Sequence, residues 1–322
     1  MCTLAGPHFP LDALQNDNPK PVKVCSAESN NRYPLDTVDS RTGYKLVKLP
    51  TGVHSVHSLA HRETFHPVIG PVAEAEALYV RQLKLSQRIR QTPEPFVIWD
   101  VGLGAAANVL TILRAASRME CSLEIHSFDN TNEPLRFALE HAKELEYFQN
   151  YEELVKSLVR EGHVVVVQGK QRLQWQLHLA DFPTLLSQPG AEQFSKPHAI
   201  MFDAFSPATN PEMWTQPLFE KLFRLLDPSR PCALPTYSRS TMLRVTLLLA
   251  GFFVGIGHAT GEKEETTIAA NRIELIETPL DRRWLLRARR SNSAEPLWTP
   301  VYRQARLSSA SSEKLEQHPQ FQ

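Results

Sequence analysis

The feature that most constrains this chain is a compact apolar run followed at once by two closely spaced glycines. Phe96-Val97-Ile98-Trp99 has the pattern of a strand buried on both faces. Gly102-Leu103-Gly104 breaks the run, and the alanine-rich stretch 105–117 predicts a helix. The same alternation recurs downstream. Segments 123–128 and 198–202 read as strands, and 133–145, 151–160 and 211–226 as helices, the last with Pro211 in its first turn. Val164 to Val167 and Leu173 to Leu179 flank Gly169-Lys170 and predict a hairpin. Residues 232–237 form a further strand, 241–250 an apolar helix ended by Gly251, and 252–256 and 266–270 the closing strands. Strands alternating with helices give a Rossmann-like α/β fold, a mostly parallel sheet covered on both faces. Ligands on such a sheet bind beyond the carboxyl ends of its strands, at the switch point.

Four parts are expected. Residues 1–43 lack periodicity and predict a mobile arm; 44–95 predict an N-terminal extension, with a hairpin around Leu49-Pro50-Thr51-Gly52 and a helix over 74–89. The α/β core covers 96–290, and the polar stretch 291–322 predicts a disordered tail. Lys plus Arg equal Asp plus Glu at 35 each, so no global field draws the chain onto nucleic acid. Any RNA contact must come from a local patch. Arg282, Arg283, Arg287, Arg289 and Arg290, around Trp284, are one candidate, although a solvated amphipathic element is the plainer reading. Cys2, Cys25, Cys121 and Cys232 have no metal-binding or disulfide spacing. No stretch approaches the roughly 20 apolar residues that span a bilayer. No signal peptide is visible, so a cytoplasmic location is expected, without membrane association.

Acids stand at the predicted strand ends. Gly102-x-Gly104-x-x-Ala107 taken alone satisfies a dinucleotide fingerprint. Asp100, two residues before the first glycine, would repel a pyrophosphate and attract the ammonium of a methionine moiety, which favours S-adenosylmethionine. Asp129 can accept both ribose hydroxyls of an adenosine. Asp181 is a candidate for the exocyclic amine of adenine, or a helix N-cap. Asp203 faces the space between cofactor and substrate, where an acid can orient an amine and help remove its proton. Phe205 and Trp214 can stack a base, though Trp214 is equally read as core.

These places together resemble the tRNA 5-methylaminomethyl-2-thiouridine methyltransferase family, the methyltransferase half of MnmC-type bifunctional enzymes and their stand-alone relatives. The match is closest over Asp203-x-Phe205-x-Pro207 … Asn210-Pro211-x-Met213-Trp214-Thr215. It continues through Thr236-Tyr237-Ser238, Ala250-Gly251-Phe252 and Gly261-Glu262-Lys263-Glu264, and upstream takes in Gly102-x-Gly104 … Asn108, Ser127-Phe128-Asp129 and Asp181. It spans about residues 51–270. The resemblance implies a class I methyltransferase fold, S-adenosylmethionine as donor, tRNA as partner and methylation of the aminomethyl group on a wobble uridine. It implies Asp203 at the active site and Asp129 on the ribose. The expected cofactor set is Asp100, Gly102, Gly104, Asn108, Asp129 and Asp181. The expected substrate set is Glu74, Phe205, Pro207, Trp214, Tyr237 and Lys263. Glu74 and Glu76, ahead of Tyr79, are similar to the family's glutamate-containing segment near the substrate entrance. The sequence departs in its Gly-Leu-Gly-Ala-Ala-Ala-Asn loop, and no FAD-dependent oxidase domain is expected to follow.

His54, His57, His61 and His66 lie close together but match no standard zinc pattern; a surface or hairpin location is expected, and no metal. Two rival functions stay open at this point. One is NAD-dependent hydride transfer, allowed by the glycine loop. The other is a non-catalytic cofactor-binding scaffold, which would not need acids at four strand ends.

Overall fold

The computed structural model describes residues 38–39, 43–261 and 264–322. Of the arm expected over 1–43, residues 1–37 and 40–42 lie outside the described residues, as does the site residue Lys263. An antiparallel sheet comes first: β1 (Val38–Asp39), β2 (Tyr44–Lys48), β3 (His54–Ser58) and β4 (Glu63–Thr64), in that order. Strands β2 and β3 form the expected hairpin, its turn closed by Leu49 N–H donating to the Val53 carbonyl at 2.8 Å.

The helix expected over 74–89 is instead three pieces: α1 (Pro71–Ala75), a π-helical turn (Glu76–Arg81) and α2 (Leu85–Gln91). The break falls at Lys84, whose backbone is left-handed (φ 50°). Two buried anchors account for it. Gln82 Oε1 accepts the His258 N–H at 2.8 Å, and the Arg88 guanidinium donates to the carbonyls of His198 (2.7 Å) and Pro231 (3.0 Å). Local propensity yields to tertiary hydrogen bonds on either side of one residue.

The core then runs β5 (Phe96–Val101), α3 (Ala107–Ala116), β6 (Ser122–Asp129), α4 (Glu133–Glu140), α5 (Ala142–Leu145), α6 (Glu152–Glu161), β7 (His163–Gln168), β8 (Gln171–Leu179), α7 (Phe182–Leu185) and β9 (Ala199–Phe202). It continues through a 3₁₀ turn (Pro211–Trp214), α8 (Gln216–Leu225), β10 (Ala233–Thr236), α9 (Thr241–Leu249), β11 (Phe253–Gly257) and β12 (Thr266–Ala270). The eight strands lie in the order β11-β12-β10-β9-β5-β6-β8-β7. Pairing is parallel from β10 through β8; β12 and the edge strand β7 are antiparallel to their neighbours. The chain moves one way from β5 to β6 and β8, then returns to place β9 on the other side of β5. That reversal puts the switch point at the carboxyl ends of β5 and β9.

Every residue of β5 is buried, as the apolar run Phe96–Trp99 predicted, and burial extends to Asp100. One face carries Trp99, Phe128, Phe202, Trp214 and Phe219; the other carries Ile98, Leu110, Tyr79 and Phe148. The predicted helix 211–226 divides at Thr215, whose extended backbone bridges Leu297 while the Gln216 N–H donates to the Leu297 carbonyl at 2.8 Å. The helix 133–145 likewise divides at His141.

The tail expected to be disordered is folded. After α10 (Arg282–Arg290) the chain packs back and ends in α11 (Ser309–Glu316) and a 3₁₀ turn at Pro319–Phe321. Leu315 and Phe321 are buried, and Glu295 accepts from Ser308, Ser311 and Trp298 at the start of α11. The Gln320 amide pairs both backbone groups of Val254 at 2.7 Å, serving the sheet edge as a side-chain substitute for a strand. The segment looks polar because single apolar anchors, without a periodic stripe, hold it.

Beneath the glycine loop, Asp100 is almost fully buried and accepts from Ser127 Oγ at 2.7 Å, which in turn accepts from Trp175 Nε1. Burial pushes the Asp100 carboxyl up to about 7.

Two outcomes follow for stability. Leu315→Ala and Phe321→Ala should each lower the unfolding free energy by about 2–5 kcal/mol in urea titrations, whereas an unstructured tail would tolerate both. Because the folded Asp100 holds its proton well above the usual carboxylate range, its contribution to stability is present at acid pH and is lost as pH rises toward 7. The melting-temperature difference between Asp100→Asn and the wild type should therefore become more positive from pH 5 to pH 8; a difference constant across that range would contradict the assignment.

Candidate active site

The loop between β5 and α3 is shaped by backbone that only glycine adopts readily. Gly102 has φ 92°, and a Cβ there would sit 2.8 Å from the Asp203 carbonyl oxygen, so the loop lies directly against the end of β9. Gly104 (φ 51°) faces the Phe65 ring. Its N–H donates to Asp129 Oδ2 at 3.0 Å, tying the loop to the end of β6. Beyond these strand ends lies a cavity of about 460 Å³, a size usual for a small-molecule site.

The cavity is lined by Gly102, Gly104, Asp129 and Asp181. Asp129 is largely buried, which raises its carboxyl, and backbone N–H groups of Gly104 and Thr131 hold it in place. Asp181 lines the cavity and also caps α7, accepting the Thr184 N–H at 2.9 Å, so both of its expected roles are compatible. Glu74, Asp203, Phe205 and Tyr237 line the same cavity. The Tyr237 hydroxyl donates to the Ala204 carbonyl at 3.0 Å. Burial beside Asp203, Glu63 and Glu74 holds that phenol neutral, well above its ordinary range.

Four expected site residues are placed elsewhere. Asp100 lies below the loop, outside the cavity lining, because its strand position turns it toward Ser127. Asn108 also lies outside the lining: it is buried on α3 and donates to Asp203 Oδ2 at 2.7 Å, so it orients an acid of the site. Trp214 is fully buried among Phe202, Phe219 and Tyr237, and its indole N–H donates to the Phe205 carbonyl at 2.7 Å. It is core that supports the wall. Pro207 is outside the lining as well, on the loop whose Ser206 does reach the cavity. Glu76 is half-buried and does not line it either.

The extension supplies residues that sequence reasoning missed. His61, Glu63, Phe65 and His66 all line the cavity. His61 stacks on Phe205 with centroids 4.1 Å apart, and Glu63 accepts from Ser206 N at 3.1 Å and from the Ser206 and Thr209 hydroxyls. His66 sits between two acids: Nδ1 lies 3.1 Å from Glu74 Oε1, and Nε2 lies 3.6 Å from Asp203 Oδ2. The backbone of His66 is left-handed (φ 48°), uncommon for a non-glycine residue. The signal was present in the density of histidines over 54–66, which was read as a surface feature. For His54 and His57, both on β3, that reading holds: His54 contacts the exposed Glu144 carbonyl and His57 pairs with Thr64.

Charge decides what this cavity can hold. Among the described residues, Glu63, Glu74, Asp129, Asp181, Asp203 and Glu212 line it, against Arg62 as the one arginine or lysine. Such a wall repels a pyrophosphate and attracts a sulfonium and an ammonium, which counts against the dinucleotide alternative. The close-approach glycines and the ribose-type acid suit an adenosyl cofactor.

Comparisons with known proteins agree. Residues 145–272 match a family model described as S-adenosyl-L-methionine-dependent methyltransferase. The bifunctional protein MnmC of tRNA 5-methylaminomethyl-2-thiouridine biosynthesis from Aeromonas hydrophila is 31% identical over 214 residues, which is 63% of this chain and 32% of that protein. The Pseudoalteromonas atlantica protein of the same name is 27% identical over 223 residues, 65% of this chain and 31% of its own length. This chain thus spans about a third of the length of these relatives. The crystal structure of MNMC2 from Aquifex aeolicus superposes with a TM-score of 0.61 at 21% identity, covering 87% of this chain and 84% of that one, which shows a shared fold. With its mixed eight-stranded sheet and its family match, the chain carries an S-adenosylmethionine-dependent methyltransferase domain of the MnmC-like kind.

Proposed function

We propose that this chain transfers the methyl group of S-adenosylmethionine to the aminomethyl nitrogen of a modified wobble uridine in tRNA. The observation that carries the reading is Asp203: an acid fixed by Asn108 and lining a cavity that also has the glycines and Asp129 suited to the donor. The names of the relatives, which place them in tRNA 5-methylaminomethyl-2-thiouridine biosynthesis, support the acceptor class.

In this reading Asp129 accepts the ribose hydroxyls, Asp181 takes the adenine amine, and the Gly102–Gly104 backbone admits the methionine end. S-adenosylmethionine supplies an electrophilic methyl on a sulfonium, and the protein aligns a nitrogen lone pair behind it; such positioning is worth up to about 7–11 kcal/mol. Asp203 accepts an N–H of the amine and so orients it. The stacked His61–Phe205 pair offers a flat surface for the uracil ring. Lys263 is retained as a candidate contact for the acceptor.

RNA contact by the chain needs a local basic surface, and α10 supports one. Trp284, Leu285 and Ala288 face the core while Arg282, Arg283, Arg287 and Arg290 are exposed. The Arg244 guanidinium is depressed by burial and, more weakly, by Arg287 and Arg239, so both lie within electrostatic reach of Arg244, and Arg239 is two residues in sequence from the cavity-lining Tyr237.

Three measurements test the proposal. Nucleoside mass spectrometry of tRNA from cells lacking the protein should show an accumulated unmethylated aminomethyl uridine; an unchanged profile removes this acceptor. Asp203→Ala should keep S-adenosylhomocysteine affinity by calorimetry while turnover drops by about 10²–10⁴-fold, and Asp129→Ala should instead weaken that affinity about 10–100-fold. Arg283→Ala combined with Arg287→Ala should raise KM for tRNA and reduce the slope of log affinity against log salt by about 2, with kcat unchanged.

A further inference from the structure

We infer that Arg62 anchors the acceptor strand: its guanidinium takes a phosphate next to the nucleotide whose base enters the cavity. The inference rests on the RNA-acceptor reading above. It adds a residue that selects a nucleotide held in a strand over a free amine or nucleoside.

The turn that carries Arg62 is an uncommon place for such a side chain. Strands β3 and β4 pair up to Ser58 and Glu63, so residues 59–62 form a four-residue hairpin loop. Arg62 closes that loop with a left-handed backbone (φ 54°), a conformation that glycine or asparagine takes with least strain. The position carries a long cation instead. Both of its neighbours are fixed. The His61 N–H donates to Ser58 Oγ at 3.3 Å and its ring stacks on Phe205, while Glu63 accepts the Ser206 N–H on the loop after β9. The point at which the Arg62 side chain leaves the backbone is therefore held against both halves of the site.

Arg62 is exposed and also lines the cavity, which places it at the mouth. Charge gives that place its meaning. An arginine among so many carboxylates has every opportunity to pair with one, yet among the described residues it is ion-paired to none of them. A cavity lined by acids repels a phosphodiester, so an RNA strand can send a base inside but must keep its phosphates out. A base splayed from a single-stranded loop enters in this way, with a phosphate one ribose away on either side. When the uracil lies on the His61–Phe205 pair, the residue next to His61 is where a flanking phosphate arrives. A planar guanidinium meets two oxygens of that phosphate at once, a fit that the point charge of a lysine does not reproduce.

The test compares kcat/KM on an anticodon stem-loop RNA carrying an aminomethyl uridine with kcat/KM on two altered versions. In these the phosphate 5′ or 3′ of that nucleotide is replaced by an uncharged methylphosphonate. On the unaltered RNA, Arg62→Ala should lose about 10–100-fold, chiefly through KM, and keep wild-type S-adenosylhomocysteine affinity. Its slope of log affinity against log salt should fall by about 0.7, the share of one single-strand phosphate. The wild type should lose a similar factor on one of the two methylphosphonates, and Arg62→Ala should lose nothing further there. That coupling identifies which phosphate is held, and a merely structural role would not produce it. Arg62→Gly suits the left-handed backbone and should lose as much as Arg62→Ala, while Arg62→Lys should recover part of the loss. Wild-type KM in Arg62→Gly would overturn the anchor, as would losses that multiply on both methylphosphonates in Arg62→Ala. Either result, with an active wild type, removes the anchor and leaves the acceptor reading in place. A wild type that transfers no methyl to the unaltered RNA removes the acceptor reading first, and the anchor with it.

Discussion

The site depends on one close approach: the glycine loop after β5 lies against the backbone at the end of β9. The Asp203 carbonyl occupies space that a side chain at position 102 would need, and the Gly104 N–H reaches across to Asp129 on β6. Three neighbouring strand ends are locked together by backbone contacts and by the Asp129 carboxylate, so their acids are set at fixed distances from one another before any ligand arrives. An alanine at 102 would be strained twice, by its positive φ and by the 2.8 Å contact with backbone that has nowhere to move. Preorganisation of this kind is what allows positioning to act on a methyl transfer.

Assembling acids in one cavity is costly, and the structure meets that cost by different means at different positions. Asp129 takes backbone N–H donors, and Asp203 takes the Asn108 amide. Asp100 is nearly sealed from water with a single hydroxyl, and its carboxyl rises to about 7. The acid that the sequence singled out for the donor's ammonium is therefore driven toward its neutral form. It serves the Ser127–Trp175 network below the loop, while the cavity's negative charge comes from acids nearer its surface.

The donor half of the site was legible because its residues are local in sequence. A strand, two glycines and an acid at each following strand end follow from periodicity and turn chemistry, and the sheet order leaves them adjacent. The acceptor half was less so. Trp214 and Asn108 read as ligand contacts from their motif, yet each faces inward and supports a neighbour, a choice made by packing around Phe202 and Phe219. His61 and His66 read as surface because nothing local says that β4 docks on the loop after β9. That docking is a long-range event, fixed by Glu63 with Ser206 and Thr209 across some 140 positions of chain. The folded tail was missed for a related reason: Leu315 and Phe321 are isolated anchors in a segment whose α11 packs on α9 and whose Gln320 pairs β11, both far away in sequence.

The division of labour between core and extension has an electrostatic logic that follows from the proposed reaction. A sulfonium and an ammonium brought within bonding distance repel, by about 4 kcal/mol at 4 Å for an effective dielectric of 20. Acids on the core side, Asp129 and Asp203 among them, would offset the donor's charge, and Glu63 and Glu74 on the extension would do the same for the acceptor's nitrogen. Transfer then removes the sulfonium charge altogether. The spent donor is neutral at sulfur, so the acidic wall that gathered it would hold it less tightly, and release of the thioether would restore the wall for the next donor. The same surplus of carboxylates would thus set both the order of arrival and the order of departure.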